Sequence, residues 1–386
     1  MAYTKKNRDE HLSRSDIPKR ILALDGGGLK GVLSLGFLHR IERILKERHG
    51  NESSFRLCDY FDLIAGTSTG AIIAAVLAMG WTVEEIHEKY MILGQRVFEK
   101  SFLRKGLFRA KYDKDKLDQE LKKTFGADTL LGGPELQTGL LIITKRIDSG
   151  SPWPISNNPE GKYFGSRTSG TIGNGDYPLW QVVRSSTAAP AYFDPEKITI
   201  KKTDRDSVEG LFVDGGVSPF NNPALQALMY ATIDGYGIRW PLGSDNILLV
   251  SVGTGAADPN VKKSSFAAGQ AVSALLSLMN DCASHQETIL QWISSSHTAR
   301  IIDRELGNLE NDLLGVSPLL TYLRYNVDLR EESVRRLDPS LNDSELIESL
   351  SAMDAPENMA VLHKLGELAA KKGVEEGHFE KKFDLM

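Results

Sequence analysis

The chain has 386 residues, 41% of them hydrophobic and 25% charged, a composition that allows a sizeable core and excludes a disordered or low-complexity protein. A net charge of −5, from 46 basic and 51 acidic side chains, excludes a global attraction to nucleic acid or anionic membrane, so any such contact must be local. Cys58 and Cys282 are too few for a disulfide framework and have no metal-ligand spacing. Together with a polar stretch 1–19 that lacks a signal-peptide run, and no segment long enough to span a bilayer, they predict a cytosolic address.

Residues 20–25 read as a short buried strand that runs into Gly26, Gly27 and Gly28, after which 31–47 have helical spacing. These glycines with Gly31 also fit the loose G-x-G-x-x-G pattern of a dinucleotide site. That site needs a second strand ending in an acidic residue about twenty positions on, where this chain continues as helix. A Walker-type phosphate loop is disfavoured, because the spacing to Lys30 is too short and no Ser or Thr follows it. Three successive glycines do present bare backbone N–H groups suited to an oxyanion, with Lys30 adding positive charge; the competing reading is a structural turn.

The same strand, glycine turn and helix recur at 60–80, where an apolar run leads into Gly66-Thr67-Ser68-Thr69-Gly70 and then an Ala/Ile/Val-rich helix. This is the context of a nucleophile elbow. The turn crowds the serine backbone, the flanking glycines leave room, and the helix N-terminus favours developing negative charge. Residues 82–125 read as helical with interruptions. Within them Lys100, Arg104, Lys105, Arg109 and Lys111 stand without an acidic residue, interleaved with Phe102, Leu103, Leu107, Phe108 and Tyr112. That stretch is either a membrane-surface patch or the solvated face of a cap helix.

A buried strand is expected at 140–144, a Gly/Pro/Asn/Ser-rich loop at 149–175, and a helix at 179–188 closed by Pro190. Residues 210–214 read as a strand that breaks at Gly215-Gly216, leaving Asp214 able to face the same sheet edge as Ser68. Another apolar strand at 246–252 enters Gly253-Thr254-Gly255, and beyond it the chain reads as mainly helical. Near-continuous apolar strands alternating with helices predict an α/β fold with a mostly parallel sheet, covered on both faces.

A serine hydroxyl needs a base, either a carboxylate acting directly or a histidine oriented by an acid. Asp214 is the carboxylate candidate. None of the eight histidines lies in a motif, but the order Ser, Asp, His would nominate His285 or His297 for a triad.

Taken together, the glycine loop, the G-x-S-x-G elbow and the Asp-Gly-Gly element occur in the order that marks the patatin-like phospholipase family, which this chain resembles over roughly residues 20–255. The likeness includes the helix and proline turn at 181–190 and the run 251–255. The resemblance implies a three-layer α/β/α fold and a Ser68–Asp214 dyad without a catalytic histidine. It also implies an oxyanion site at the glycine loop (Gly26, Gly27, Gly28, Lys30, Gly31) and Thr69, and phospholipid as substrate, met peripherally at the membrane. Lys30 stands where many members carry arginine, keeping the charge but losing the planar fork. The expected organisation is a tail at 1–19, a catalytic domain at 20–300 and a helical extension at 301–386 packed on it. No cofactor, metal or nucleic-acid partner is implied, and no motif speaks to oligomeric state. Two other readings stay open. One is a cyclic-nucleotide-activated effector, since some bacterial members of the family degrade membrane phospholipid in phage defence when a small molecule activates them. The other is a non-catalytic lipid- or nucleotide-binding protein.

Overall fold

A computed structural model describes residues 3–50, 53–97, 112–166, 170–190, 192–203, 206–256 and 267–386. The basic stretch Lys100, Arg104, Lys105, Arg109 and Lys111 lies outside the described residues. A short helix α1 (Arg8–Leu12), closed by a reciprocal Asn7–Glu10 capping box, precedes β1 (Lys19–Leu24) and the long helix α2 (Gly31–Arg48). The expected strand at 60–65 begins later. Residues 57–60 form α3 (Leu57–Tyr60), whose start is fixed by Asp59 accepting the Arg56 N–H at 2.8 Å, and β2 is Leu63–Thr67. Next come α4 (Thr69–Ala78), buried along its whole length, α5 (Val83–Val97), α6 (Lys114–Phe125) and β3 (Gly139–Arg146).

The loop expected at 149–175 contains a strand, β4 (Ser151–Ser156), paired antiparallel with β3. Pro152 and Pro154 obscure it in the sequence. They sit two residues apart, so their missing N–H groups fall on one side, the arrangement an edge strand tolerates. After α7 (Leu179–Ser186) the chain forms the hairpin β5 (Glu196–Lys202) and β6 (Ser207–Asp214), then α8 (Ala224–Thr232), β7 (Ile247–Val252) and α9 (Ala267–Trp292). The mainly helical reading past Gly255 needs one correction: β8 (Thr321–Tyr325) joins the sheet parallel to β7. Its five residues are too few for periodicity to declare them. Helices α10 (Glu331–Leu337), α11 (Ser344–Ser349) and α12 (Met359–Gly373) follow.

The described residues form one eight-stranded sheet in the order β5-β6-β3-β2-β1-β7-β8, with β4 also on β3. Strands β3, β2, β1, β7 and β8 are mutually parallel, whereas β4, β5 and β6 join antiparallel. Alternate residues feed two cores. Leu22, Leu24, Ile64, Leu140, Leu248 and Val250 face one with α2, α4 and α12, while Ile21, Ala23, Leu63, Ala65, Leu249 and Leu141 face the other with α8. A sheet buried on both faces between helices is a three-layer α/β/α architecture, and it is why its parallel strands read as unbroken apolar runs. The C-terminal helix α12 seats directly on α2, where a Cβ on Gly366 would meet the Leu33 carbonyl oxygen at 2.2 Å.

Candidate active site

Ser68 sits between β2 and α4 with φ 54° and ψ −123°, a left-handed conformation costing a non-glycine residue about 1–3 kcal/mol. The flanking glycines make that turn sterically feasible. A Cβ on Gly66 would stand 2.2 Å from the Gly70 carbonyl oxygen, and one on Gly70 would stand 2.2 Å from that of Leu24. The strained residue is held from below: its N–H donates to Ser186 Oγ at 2.9 Å, and Ser186 Oγ donates to the Ile143 carbonyl at 2.5 Å.

Asp214 ends β6 and comes to the same point. Ser68 Oγ donates to Asp214 Oδ2 at 2.5 Å, and the Gly216 N–H donates to Oδ1 at 2.7 Å. Burial pushes the Asp214 carboxyl up to about 6, against the opposing pull of the Ser68 and Gly216 hydrogen bonds and the Arg184 charge. The group is therefore poised to exchange a proton near neutral pH.

The glycine loop lies beside the serine. Gly26 is committed to structure, its N–H bonded to the Asn221 carbonyl at 3.0 Å and its carbonyl accepting from Thr254 Oγ1 at 2.9 Å. Among the described residues, the N–H groups of Gly27 and Gly28 have no hydrogen-bond partner. Gly28 has φ 59°, and a Cβ there would meet the Met353 carbonyl oxygen at 2.3 Å. Tyr90 clamps loop to elbow: its hydroxyl donates to the Gly28 carbonyl at 2.7 Å and hydrogen-bonds Thr69 Oγ1. Behind the loop, Arg324 of β8 grips Asp25 with both nitrogens, at 2.9 and 2.6 Å, and donates to Ser251 Oγ at 2.7 Å.

A cavity of about 300 Å³ opens over these groups, lined by Gly27, Gly28, Ser68, Thr69 and Asp214 and by apolar side chains such as Ile72, Leu93, Phe193 and Met353. Gly26, Lys30 and Gly31 stand behind it. Lys30 does not face the cavity; its ammonium donates to the Gly255 carbonyl at 3.3 Å, and burial lowers it to about 8. Neither His285 nor His297 lines the cavity. Both are exposed, and His297 faces Glu380 at 3.3 Å. Sequence reasoning missed Tyr90, Ser186, Asn221, Met353 and Arg324. Only Ser186 carried a signal, as part of the run 181–190. The others act through contacts that no local pattern announces.

Among the described residues no cluster of His, Cys, Asp or Glu could hold a metal ion, and no helix is long and apolar enough to cross a membrane.

Comparison with known proteins gives a consistent result. The family model described as "Patatin-like phospholipase" matches residues 22–228, more than half of the chain. A cGAMP-activated phospholipase of Escherichia coli is 26% identical over 260 residues, 66% of this chain and 67% of that protein. One of Vibrio cholerae is 31% identical over 231 residues, 57% of this chain and 58% of that protein. The chain thus spans about two thirds or less of these relatives' lengths. Human GIVD cytosolic phospholipase A2 superposes with a TM-score of 0.47 at 11% identity, covering 96% of this chain and 61% of that one.

Proposed function

Because the chain belongs to the patatin-like phospholipase family, we propose that it is a serine lipid acyl hydrolase, releasing ester-linked fatty acids from phospholipid through Ser68 and Asp214. The observation that carries this reading is the 2.5 Å hydrogen bond from Ser68 Oγ to Asp214 Oδ2 at the floor of an apolar cavity. Ser68 Oγ attacks the ester carbonyl carbon while its proton passes to Asp214. The unpartnered N–H groups of Gly27 and Gly28, with the N-terminus of α4, take up the oxyanion. Collapse of the tetrahedral intermediate breaks the ester bond, and the departing alkoxide takes the proton from Asp214, leaving an acyl-serine. Water then attacks that ester, giving its proton to Asp214, and the fatty acid leaves as Ser68 recovers its own. The apolar walls suit an acyl chain. No histidine is needed, since Asp214, held near 6 by burial, is basic enough to share the serine proton.

The protein meets lipid from the water side, in this reading from the cytosol, with Lys100, Arg104, Lys105, Arg109 and Lys111 as the membrane contact. Similarity to two cGAMP-activated phospholipases supports a second element, activation by a small cyclic nucleotide.

The test is fatty acid release from phospholipid vesicles and from a short-chain ester, by wild type, Ser68→Ala and Asp214→Ala, with folding checked by circular dichroism. Both variants should be folded and reduced by at least about 10³-fold. Full activity in Asp214→Ala would overturn the dyad.

A further inference from the structure

An acyl-serine is cleaved by a water that must be held in place, and Asp214 alone holds only one end of it. Once Ser68 Oγ carries the acyl group it has no proton to donate. The Asp214 Oδ2 that accepted that proton at 2.5 Å is then open to a water, while Oδ1 stays committed to the Gly216 N–H at 2.7 Å. A water bound through one O–H still swings about that bond. Its attack is directed only when the second O–H meets a second acceptor.

The loop between β6 and α8 supplies one. Asn221 is half-buried and lines the cavity over Ser68. Its Nδ2 donates to the Gly26 carbonyl at 3.3 Å, and among the described residues no donor reaches its Oδ1. That oxygen stands beside both members of the pair. A Cβ built on Gly26 would lie 2.5 Å from Asn221 Oδ1 and 3.0 Å from Ser68 Cβ, and one built on Gly216 would lie 2.8 Å from Asn221 Oδ1 and 3.1 Å from Asp214 Oδ1. Two glycines thus keep clear the space where amide oxygen, serine and carboxylate converge. The loop is fastened on each side of the amide. Thr67 Oγ1 donates to the Phe220 carbonyl at 2.7 Å, the Gly26 N–H to the Asn221 carbonyl at 3.0 Å, and the Ala224 N–H to Asn222 Oδ1 at 2.9 Å. An acceptor fixed in this way needs no reorganisation when the water binds.

We propose that Asn221 is a catalytic residue for the second half of the reaction, its Oδ1 holding the water that cleaves the acyl-serine. The water gives one hydrogen bond to Asp214 Oδ2 and the other to Asn221 Oδ1, which leaves a lone pair for the ester carbonyl carbon. As the new C–O bond forms, the first proton passes to Asp214; the second stays on the water oxygen, which becomes the hydroxyl of the fatty acid. The bond from carbon to Ser68 Oγ then breaks, and Oγ takes the proton from Asp214. This role rests on the reading of Ser68 and Asp214 as the hydrolytic pair. It also separates the two halves of the reaction, because acylation, in which Asp214 takes the serine proton, makes no use of Asn221 Oδ1.

The experiment follows a nitrophenyl ester in single turnovers, in water and with methanol as a competing acceptor, for wild type, Ser68→Ala, Asn221→Ala and the near-isosteric Asn221→Leu. Release of nitrophenol measures acylation and release of the fatty acid measures deacylation. In both Asn221 variants the Gly26 carbonyl keeps its bond from Thr254 Oγ1 and the Gly26 N–H keeps its bond to the backbone of residue 221. Acylation should therefore stay close to wild type, while deacylation should slow by about tenfold to 100-fold, with acyl-enzyme visible in the intact mass. Methanol has a single O–H, which Asp214 satisfies, so the ratio of methyl ester to free acid should rise by about tenfold in both variants. Equal slowing of acylation and deacylation, or an unchanged product ratio, in an enzyme that needs Ser68 overturns the role of Asn221 alone. A wild type that releases nitrophenol no faster than Ser68→Ala overturns the hydrolytic reading and this role with it.

Discussion

At the residue scale the proposed chemistry turns on the Asp214 carboxyl. It is buried, and burial holds it up at about 6, above the ordinary carboxylate range. The folded state therefore binds this proton more tightly than the unfolded chain does. Stability from Asp214 is fully present below about pH 4 and is lost as pH rises through about 6. Asp214→Asn keeps the shape and the bond from Gly216 while removing the charge. It should stabilise the protein by about 1–3 kcal/mol at pH 7.5, and the gain should vanish near pH 3.5. Urea melts at the two pH values measure both. In wild type the same ionisation should appear as an ascending limb of kcat/KM with its midpoint near pH 6. Stability and activity thus move in opposite directions across that range, the pattern expected when a site is kept ready for chemistry at the cost of the fold.

At the scale of elements, the glycine loop is held by parts of the chain far from it. Arg324 on β8 pairs with Asp25 at the end of β1, 299 residues away, and both side chains are buried. Truncating one partner strands the other's charge in a low-dielectric interior. Arg324→Met should cost about 3–5 kcal/mol, whereas Asp25→Asn/Arg324→Met should recover most of that loss, because a neutral pair is far cheaper to bury. Chemical denaturation of both variants measures the difference. A loss in the single variant under 1 kcal/mol would show that the pair does not anchor the loop. Clamps from two other elements reach the same loop, through Tyr90 of α5 and through Met353 just before α12. The backbone N–H groups of Gly27 and Gly28 are thus positioned by three segments that approach from different directions.

At the scale of the whole molecule, the net charge of −5 opposes anionic lipid, and the basic residues 100–111 are the proposed local contact. Changing Arg104, Lys105 and Arg109 to Gln should weaken binding to anionic liposomes by about 100-fold at low salt, at about 1 kcal/mol per charge near the surface. Hydrolysis of a soluble ester should persist, since that substrate needs no surface. Sedimentation with liposomes checks the first and a chromogenic ester the second. Equal liposome binding would remove this stretch from the membrane contact.

What the sequence by itself determined was local. The strand, glycine turn and helix around Gly26–Gly28 and around Ser68 were legible because close backbone approach leaves no room for a Cβ at Gly28, Gly66 and Gly70. Apolar runs exposed the two-sided parallel sheet for a different reason: each strand must satisfy two cores. The tertiary structure alone decided which distant groups meet. Asp214 reaches Ser68 across 146 residues, Lys30 turns to the Gly255 carbonyl rather than the cavity, and two exposed histidines stay away from it. Strands β4 and β8 belong with these, because five or six residues rich in proline or polar side chains carry no periodicity of their own and become strands only when a neighbouring edge supplies their hydrogen bonds.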